Sequence, residues 1–299
     1  GIRAFCLSRG LGDVYKRQEL RKSITEFYKT YYDVDLDPDS QVLPLMGSKE
    51  GIMHISMAYL NPGDEVLIPN PGYPTYASVT RLMQAKAITY DLKLSNDWQP
   101  DFKELENLDT SKVKIMWLNY PHMPTGAEFL ESTFSFLVKW AYKRNILLVN
   151  DNPYSFILTK KPKSILSRPG AQEVAVELNS LSKSFNMAGW RVGMVVGKGE
   201  IIKSILQVKS NMDSGMFLGI QKGAVEALNC SKEWFKELNK TYTKRRKIVW
   251  EIFDILGCSY NKESAGLFVW AKLPKGRSAI EFTDQLLKKK DVFMTPGSI

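Results

Sequence analysis

The sequence predicts an α/β protein, with a three-layer large domain around a mainly parallel sheet and a smaller, incomplete α+β domain at the C-terminus. Short apolar segments alternate with amphipathic segments from about residue 42 onward. The apolar segments are hydrophobic on both faces, which is typical of a sheet covered by helices on both sides. After residue 231 a long helical stretch replaces this alternation, and it indicates the start of a second unit.

The large domain is predicted to extend over residues 18–235. Its first helix begins near Gln18, since apolar residues then recur at helical spacing: Leu20, Ile24, Phe27, Tyr28 and Tyr31. The predicted strands are Glu65–Pro69, Ala87–Asp91, Val113–Leu118, Ile146–Asn150, Val174–Leu178 and Val192–Val196. The predicted helices between them are Ser48–Leu60, Tyr73–Met83, Leu130–Arg144 and Ile201–Met212.

The two ends of the chain look different from its middle. Residues 236–299 are predicted to form the smaller domain, whose elements are helix Lys232–Leu256, strand Leu267–Lys272, helix Ala279–Lys289 and strand Asp291–Met294. Because the chain stops at Ile299, directly after this last strand, we interpret the domain as truncated. Residues 1–17 lack periodicity and are interpreted as a non-native tail.

Composition excludes several classes of protein. No apolar run approaches the roughly 18 to 20 residues that a transmembrane helix needs, so no membrane partner is expected. The net charge of +9 is spread along helical segments and mixed with acidic residues, which favours solvated helix faces over a nucleic-acid partner. The three scattered cysteines fit a reduced cytoplasm, and with only two histidines no metal site is predicted.

The segment from Ser180 to Gly193 carries the most chemical information. Ser180, Ser182 and Lys183 follow a predicted buried strand, at the end of the sheet where α/β proteins bind their ligands. A lysine placed there suits a Schiff base, and the two hydroxyls together with Arg191 suit a phosphate group. Taken alone, a Ser-x-x-Lys pattern favours the ordinary alternative, a polar loop that exposes one lysine.

Three further segments weaken that alternative. Asp151 and Tyr154 follow another buried strand, where a carboxylate can pair with a protonated pyridine nitrogen and a tyrosine can reach a ring oxygen. Ser48 and Lys49 open a helix after a glycine, and free amides at a helix start bind anions. Tyr73 follows a Pro-Gly turn and can stack on a flat cofactor. The last two segments have ordinary structural alternatives, a glycine before a helix and a Pro-Gly turn with core tyrosines.

Together and in this order, the segments resemble class I/II aminotransferases of fold type I, especially the branch with aspartate and LL-diaminopimelate aminotransferases. The resemblance covers residues 18–299. It implies that pyridoxal 5′-phosphate is the cofactor, and that an amino group passes between an L-amino acid and a 2-oxo acid. It also implies a cytoplasmic homodimer with residues of both subunits in each site.

The resemblance also implies roles for individual residues. Lys183 forms the Schiff base and moves the substrate proton, Asp151 keeps the pyridine nitrogen protonated, and Tyr154 bonds the ring oxygen. The remaining cofactor-binding residues are Tyr73 against the ring, Asn119 beside it, and Ser48, Lys49, Ser180, Ser182 and Arg191 around the phosphate.

The sequence departs from the family pattern within the turn Asn119–Gly126. Met123 occupies the position of an asparagine that contacts the ring oxygen in the family. Either Tyr154 acts alone, or His122 replaces that asparagine; the favoured interpretation places His122 on the surface of the turn. His54 is expected to be a packed residue rather than a ligand.

Two other readings stay open at the level of sequence. A carbon–sulfur β-lyase uses the same cofactor residues, and an aminotransferase-like effector domain of a transcription regulator would share the fold. The regulator needs a DNA-binding domain, and no helix-turn-helix pattern precedes Gln18.

The family's arginine for the substrate α-carboxylate lies beyond the equivalent of Ile299, so this chain is expected to bind cofactor but to transaminate poorly.

Overall fold

A computed structural model describes residues 18–297, and the predicted tail of residues 1–17 lies outside the described residues. The α-helices are α1 (Gln18–Tyr32), α2 (Ser48–Tyr59), α3 (Pro74–Leu82), α4 (Phe102–Glu106), α5 (Glu131–Arg144), α6 (Ala171–Val174), α7 (Leu181–Ser184), α8 (Gly199–Met212), α9 (Leu218–Leu228), α10 (Lys232–Ile255) and α11 (Ala279–Lys290). The strands are β1 (Val42–Leu45), β2 (Glu65–Asn70), β3 (Lys86–Asp91), β4 (Val113–Leu118), β5 (Leu147–Asp151), β6 (Ala175–Ser180), β7 (Gly193–Gly197), β8 (Ser259–Tyr260) and β9 (Ala271–Lys272). Within residues 18–297 no helix is both long enough and apolar enough to cross a lipid bilayer.

Seven strands form one mixed sheet in the order β1-β7-β6-β5-β4-β2-β3. The pairings from β6 through β5, β4 and β2 to β3 are parallel, whereas β7 runs antiparallel to both of its neighbours. This arrangement confirms the predicted α/β class with a mainly parallel sheet.

Both faces of the sheet are buried, and alternate residues of each strand enter different cores. In β4, Ile115 and Trp117 pack into the core formed with α2, α3 and α8, while Met116 and Leu118 pack into the core formed with α1, α5 and α9. All four side chains have no measurable exposure. The result is the three-layer arrangement that the two-sided apolar strands predict.

The strand directions bring several loops to one edge of the sheet. Because β4, β5 and β6 are parallel, their C-terminal ends lie together at that edge. At the same edge, Gly193 is paired with Ser180 of β6 on one side and with Leu45 of β1 on the other. The turn that starts α2 therefore lies close to the segment that follows β6.

The C-terminal part contains α10, the two-residue ladder β8–β9, and α11. Two of the strand predictions for it were wrong. Only Ala271–Lys272 of the predicted strand Leu267–Lys272 is a strand, because only those residues pair, with Ser259–Tyr260. The predicted strand Asp291–Met294 is irregular, since it pairs with no other part of the described chain. The domain boundary predicted after residue 235 falls inside α10 and stays a prediction.

Candidate active site

A cavity of about 300 Å³ lies at the C-terminal edge of the parallel strands. Its walls include all ten residues predicted to bind the cofactor: Ser48, Lys49, Tyr73, Asn119, Asp151, Tyr154, Ser180, Ser182, Lys183 and Arg191. Six further residues complete the lining: Ile52, Tyr76, Met123, Pro153, Ala188 and Phe268. The structure thus brings together side chains from five separate segments between residues 48 and 191 and one, Phe268, from the C-terminal part.

Lys183 reaches the cavity from the short helix α7, directly after β6. The hydroxyl of Ser180 accepts a hydrogen bond from the Ser182 amide at 3.1 Å and caps this helix. At the other end of the helix, the Trp234 indole of α10 donates to the Ser184 carbonyl at 2.9 Å. These two hydrogen bonds hold the short helix at both ends. Lys183 itself is half-buried, and its side chain lines the cavity.

Asp151 is the last residue of β5 and is almost fully buried. Its Oδ2 accepts a hydrogen bond from the Tyr76 hydroxyl at 3.0 Å. Its Oδ1 is buried and receives no hydrogen bond from the residues that the structure describes. Burial raises the pKa of the Asp151 carboxyl to about 7, despite the opposing effect of the Tyr76 hydrogen bond. A ligand that donated a hydrogen bond to Oδ1 would therefore remove the free-energy cost of leaving this buried oxygen without a partner.

Tyr154 lies three residues beyond Asp151 in a buried turn. Its ring meets the Phe268 ring edge-on, with 6.0 Å between the centroids. Burial, followed by the nearby Asp151 carboxylate, raises the pKa of the Tyr154 phenol. This hydroxyl consequently stays protonated at neutral pH and can donate a hydrogen bond.

Asn119 joins the ends of two neighbouring strands beneath the cavity. Its Nδ2 donates to the Asp151 carbonyl at 2.6 Å, and its Oδ1 accepts from the Met123 amide at 2.9 Å. These bonds hold the turn after β4 against the end of β5. Asn119 thus fixes the positions of both Asp151 and Met123.

The turn before α2 and the segment before β7 form one corner of the cavity. Gly47 precedes α2 with φ 86°, and the Arg191 guanidinium lies directly against it. A β-carbon at Gly193 would stand only 2.5 Å from the Ser48 amide nitrogen, so a glycine there is what allows β7 to approach the turn. Arg191 Nη1 donates to the Ala188 carbonyl at 2.9 Å, which anchors the side chain beside the free amides of the helix start.

Aromatic rings form another wall of the cavity. Tyr73 is half-buried at the start of α3 and meets Tyr76 edge-on, with 5.6 Å between the ring centroids. The Lys49 ammonium lies 5.8 Å from the centre of the Tyr73 ring. The position of Tyr73 suits contact with the face of a flat ligand.

Two residues were missed by the sequence predictions. Tyr76 binds Asp151, and its only sequence signal is its spacing of three residues from Tyr73 on the first turn of α3. Phe268 comes from the C-terminal part, which is held there because the Ala265 amide donates to the Gly126 carbonyl at 2.7 Å. Nothing in the local sequence of Phe268 indicates this contact.

The prediction for His122 was wrong. Instead of lying on the surface, the ring is buried, and its Nδ1 lies 2.8 Å from the Thr125 hydroxyl. Burial lowers the pKa of the imidazole to about 4, so it is neutral at physiological pH. His122 does not line the cavity, whereas Met123 does. His54 is a packed residue, as predicted, with its Nε2 3.0 Å from Glu50 Oε1.

Comparison with known proteins identifies the family. The family described as aminotransferase class I and II matches residues 8–299. The chain belongs to this family. It is 39% identical to the LL-diaminopimelate aminotransferase of Aquifex aeolicus over 284 residues, which cover 94% of this chain and 73% of the relative. The LL-diaminopimelate aminotransferase of Natranaerobius thermophilus is 42% identical over 281 residues, covering 93% and 73% of the two chains.

Solved structures share the fold. The apo structure of BacF from Bacillus subtilis superposes with a TM-score of 0.90 at 34% identity, and it covers 94% of this chain and 72% of that one. A probable N-succinyldiaminopimelate aminotransferase from Thermus thermophilus superposes with a TM-score of 0.88 at 32% identity, covering 94% and 76%. The protein is therefore an enzyme that transfers amino groups with pyridoxal phosphate, as predicted.

The residues of the cavity fit this cofactor. The unpartnered Oδ1 of Asp151 suits the protonated ring nitrogen, and Tyr154 offers a hydroxyl donor for the ring oxygen. The close approach of Gly193 to Ser48, with Arg191 alongside, suits a phosphate dianion. Lys183 supplies a primary amine within the same cavity, and a primary amine can hold the aldehyde.

Proposed function

We propose that Lys183, Asp151 and Tyr154 are the catalytic residues of an amino transfer between an L-amino acid and a 2-oxo acid. The observation that carries the proposal is their position in one cavity, with the buried Oδ1 of Asp151 still available for a donor. Pyridoxal phosphate, when bound, supplies an aldehyde that condenses with amines and a ring that withdraws electrons.

Each of the three residues then has a task that matches its surroundings. Lys183 takes the proton from the α-carbon of the amino acid and returns a proton to the α-carbon of the product. Asp151 presents its buried Oδ1, which receives no hydrogen bond from the described residues, as the acceptor that would keep a proton on the ring nitrogen. Tyr154 donates to the ring oxygen from a hydroxyl that burial keeps protonated.

The binding residues divide between the two ends of the cofactor. Ser48, Lys49, Ser180, Ser182 and Arg191 are proposed to hold the phosphate, while Tyr73 is proposed to contact the ring face and Asn119 to lie at its edge. Support comes from the shared cavity and from the Gly47–Arg191 contact. In the structure the Asn119 amide is already bonded to neighbouring backbone, so its contribution is to hold the turn beside the ring.

We further propose LL-diaminopimelate as the amino donor to test first, because relatives named LL-diaminopimelate aminotransferase are 38% to 42% identical to this chain.

We also propose a cytoplasmic homodimer without nucleic-acid or membrane partners, and a division into domains at residues 18–235 and 236–299. Cys230 and Cys258 are free, in keeping with a reducing compartment. Exposed apolar side chains at Met212, Phe217 and Leu218 offer surface for a second subunit.

Borohydride trapping tests the proposal directly. The wild-type protein is incubated with pyridoxal phosphate, reduced, digested and analysed by mass spectrometry for the modified peptide. We expect the label on Lys183, its loss in Lys183→Ala, and its retention in Lys163→Ala, whose lysine lies outside the cavity. A label on another lysine, or turnover by Lys183→Ala, would contradict the proposal.

A second measurement tests the amino donor. Wild-type protein loaded with cofactor is mixed with LL-diaminopimelate, L-aspartate or L-alanine without an oxo acid, and the absorption of the cofactor is followed. Conversion to the amine form identifies a donor even when the full cycle is slow. Release of ammonia and a 2-oxo acid from cystathionine, with no conversion by any donor, would instead indicate a β-lyase.

A further inference from the structure

Tyr76 and Asp151 form a buried pair between α3 and β5. The two side chains are 1% and 5% exposed, and the Tyr76 hydroxyl donates to Oδ2 across 3.0 Å. The other carboxylate oxygen, Oδ1, has no donor within the described chain. One oxygen of Asp151 is thus held by the protein and the other is left for a ligand.

The Tyr76 ring is itself held in one place. It stacks on the Trp117 indole with 4.9 Å between the ring centroids and 6° between the planes. The Tyr76 carbonyl accepts a hydrogen bond from the Thr80 hydroxyl at 2.8 Å within α3. Because the ring cannot turn without disturbing the stack, its hydroxyl holds Oδ2 of the carboxylate in one position.

We infer that Tyr76 is a positioning residue that acts through Asp151, holding Oδ2 so that Oδ1 faces the ring nitrogen of the cofactor. This inference rests on the proposed role of Asp151. Without the Tyr76 hydroxyl, the carboxylate would lose its one side-chain donor and could rotate away from the ring nitrogen.

The hydrogen bond also affects the charge of Asp151. Glu177, on the neighbouring strand β6, disfavours the ionised form of Asp151, as burial does, and the Tyr76 hydroxyl opposes both. The other titratable or charged groups that line the same cavity are Lys49, Tyr73, Tyr154, Lys183 and Arg191. Tyr76 therefore favours the carboxylate that a protonated ring nitrogen requires.

Tyr76→Phe removes the hydroxyl and keeps the ring stack. We expect kcat to fall by about 10- to 100-fold with little change in KM, as for loss of one hydrogen bond to a charged group. Tyr120→Phe is the matched control: the residue is as buried as Tyr76 and its hydroxyl donates to the Trp98 carbonyl at 2.8 Å, but it does not line the cavity. The control should keep wild-type kcat.

A structural role alone would not change the protonation of the cofactor. We would therefore bind pyridoxal phosphate labelled at its ring nitrogen and record that nitrogen by NMR. The wild type and Tyr120→Phe should show the protonated nitrogen, and Tyr76→Phe should shift it toward the neutral form at pH 8. In an Asp151→Asn background, adding Tyr76→Phe should change neither the signal nor kcat further.

The outcomes separate the two claims. A wild-type protein that binds no cofactor, or shows a neutral nitrogen, defeats the proposed role of Asp151 and the inference with it. A protonated nitrogen that persists in Tyr76→Phe, or an equal loss in the Asp151→Asn background, overturns the inference alone. If Tyr76→Phe does not fold, a structure of the wild type with bound cofactor decides. The ring nitrogen must be hydrogen-bonded to Oδ1 while the Tyr76 hydroxyl remains hydrogen-bonded to Oδ2, and any other pairing overturns the inference.

Discussion

The guanidinium of Arg191 occupies the space that a β-carbon at Gly47 would need. Gly47 begins the turn into α2, and Arg191 ends the segment that leads into β7. Both residues have positive φ, 86° and 54°, a backbone conformation that L-residues with side chains rarely adopt. The proposed phosphate site depends on this contact.

Gly47→Ala should therefore weaken cofactor binding. A methyl group at residue 47 would both strain the backbone and displace Arg191, and we expect the dissociation constant of pyridoxal phosphate to rise by about 10- to 100-fold, the effect of losing a charge-assisted pair. Fluorescence titration measures it. Gly63→Ala is the control, because Gly63 has φ +88° but no atom within 4 Å of the new methyl group. Equal affinities for the two variants would contradict the prediction.

A buried charge network lies behind the same turn. Glu50 Oε1 is 2.9 Å from the Lys209 ammonium and 3.0 Å from His54 Nε2, and Oε2 accepts from the Met46 amide at 2.6 Å. Burial opposes the charge of Glu50, but hydrogen bonds from His54 and Lys209 outweigh it and lower the pKa to about 2. The network links α2 to α8.

Glu50→Gln should destabilise the protein in a pH-dependent way. Since the folded pKa is below the unfolded value of 4.5, the carboxylate stabilises the fold above pH 4.5, and this contribution is lost as the pH falls toward 2. We expect a loss of roughly 2 to 3 kcal/mol at pH 7 by urea unfolding, shrinking below pH 4. Glu233→Gln, which removes an exposed pair with Lys236, should change the free energy of unfolding far less, because solvent screens that pair. A pH-independent difference would refute the assignment.

The order of elements was predictable because the hydrophobic pattern reports directly on burial. Strand β4, for example, has the predicted bounds, since its residues are apolar on both faces and lie in the centre of the sheet. Strand β1 was not predicted: it is four residues long, contains Pro44 and lies at the edge. Conversely, Asp291–Met294 has a strand-like composition but no strand to pair with among the described residues.

The site was predictable to the level of which residues share a cavity, and not to the level of their contacts. Residues such as Asp151 and Lys183 follow buried parallel strands, so strand direction alone brings them to one edge. The bond between Tyr76 and Asp151 depends on how α3 packs against β5, and the burial of His122 depends on the course of its turn. Neither follows from local sequence spacing.

Asp151→Asn should make the cofactor-free protein more stable while removing its activity. The folded pKa of about 7 is above the unfolded value of 3.8, so ionising Asp151 costs stability as the pH rises through this range. The amide avoids that cost. We expect a gain of roughly 4 kcal/mol at pH 8, measured by urea unfolding, and no gain below pH 4. Transamination should fall by several orders of magnitude, and a variant that is less stable at pH 8 would count against the buried charge.

Met123→Asn should bring the site closer to the family pattern. Met123 lines the cavity on a turn that Asn119 holds, so a side-chain amide at this position can donate to the ring oxygen beside Tyr154. A donor stabilises negative charge on that oxygen. The midpoint of the pH-dependent absorption change of the bound cofactor should therefore shift to lower pH by about one unit. Spectra recorded across the pH range measure the midpoint.

The neighbouring histidine provides the control for this last variant. The His122 ring is buried, contacts the Thr125 hydroxyl and does not line the cavity. His122→Asn should therefore reduce thermal stability and leave the absorption midpoint unchanged. If the midpoint moves in His122→Asn and stays in Met123→Asn, the imidazole contributes to the ring environment after all, and position 123 does not. If both move, the turn positions the ring as a unit, and the effect cannot be assigned to one side chain.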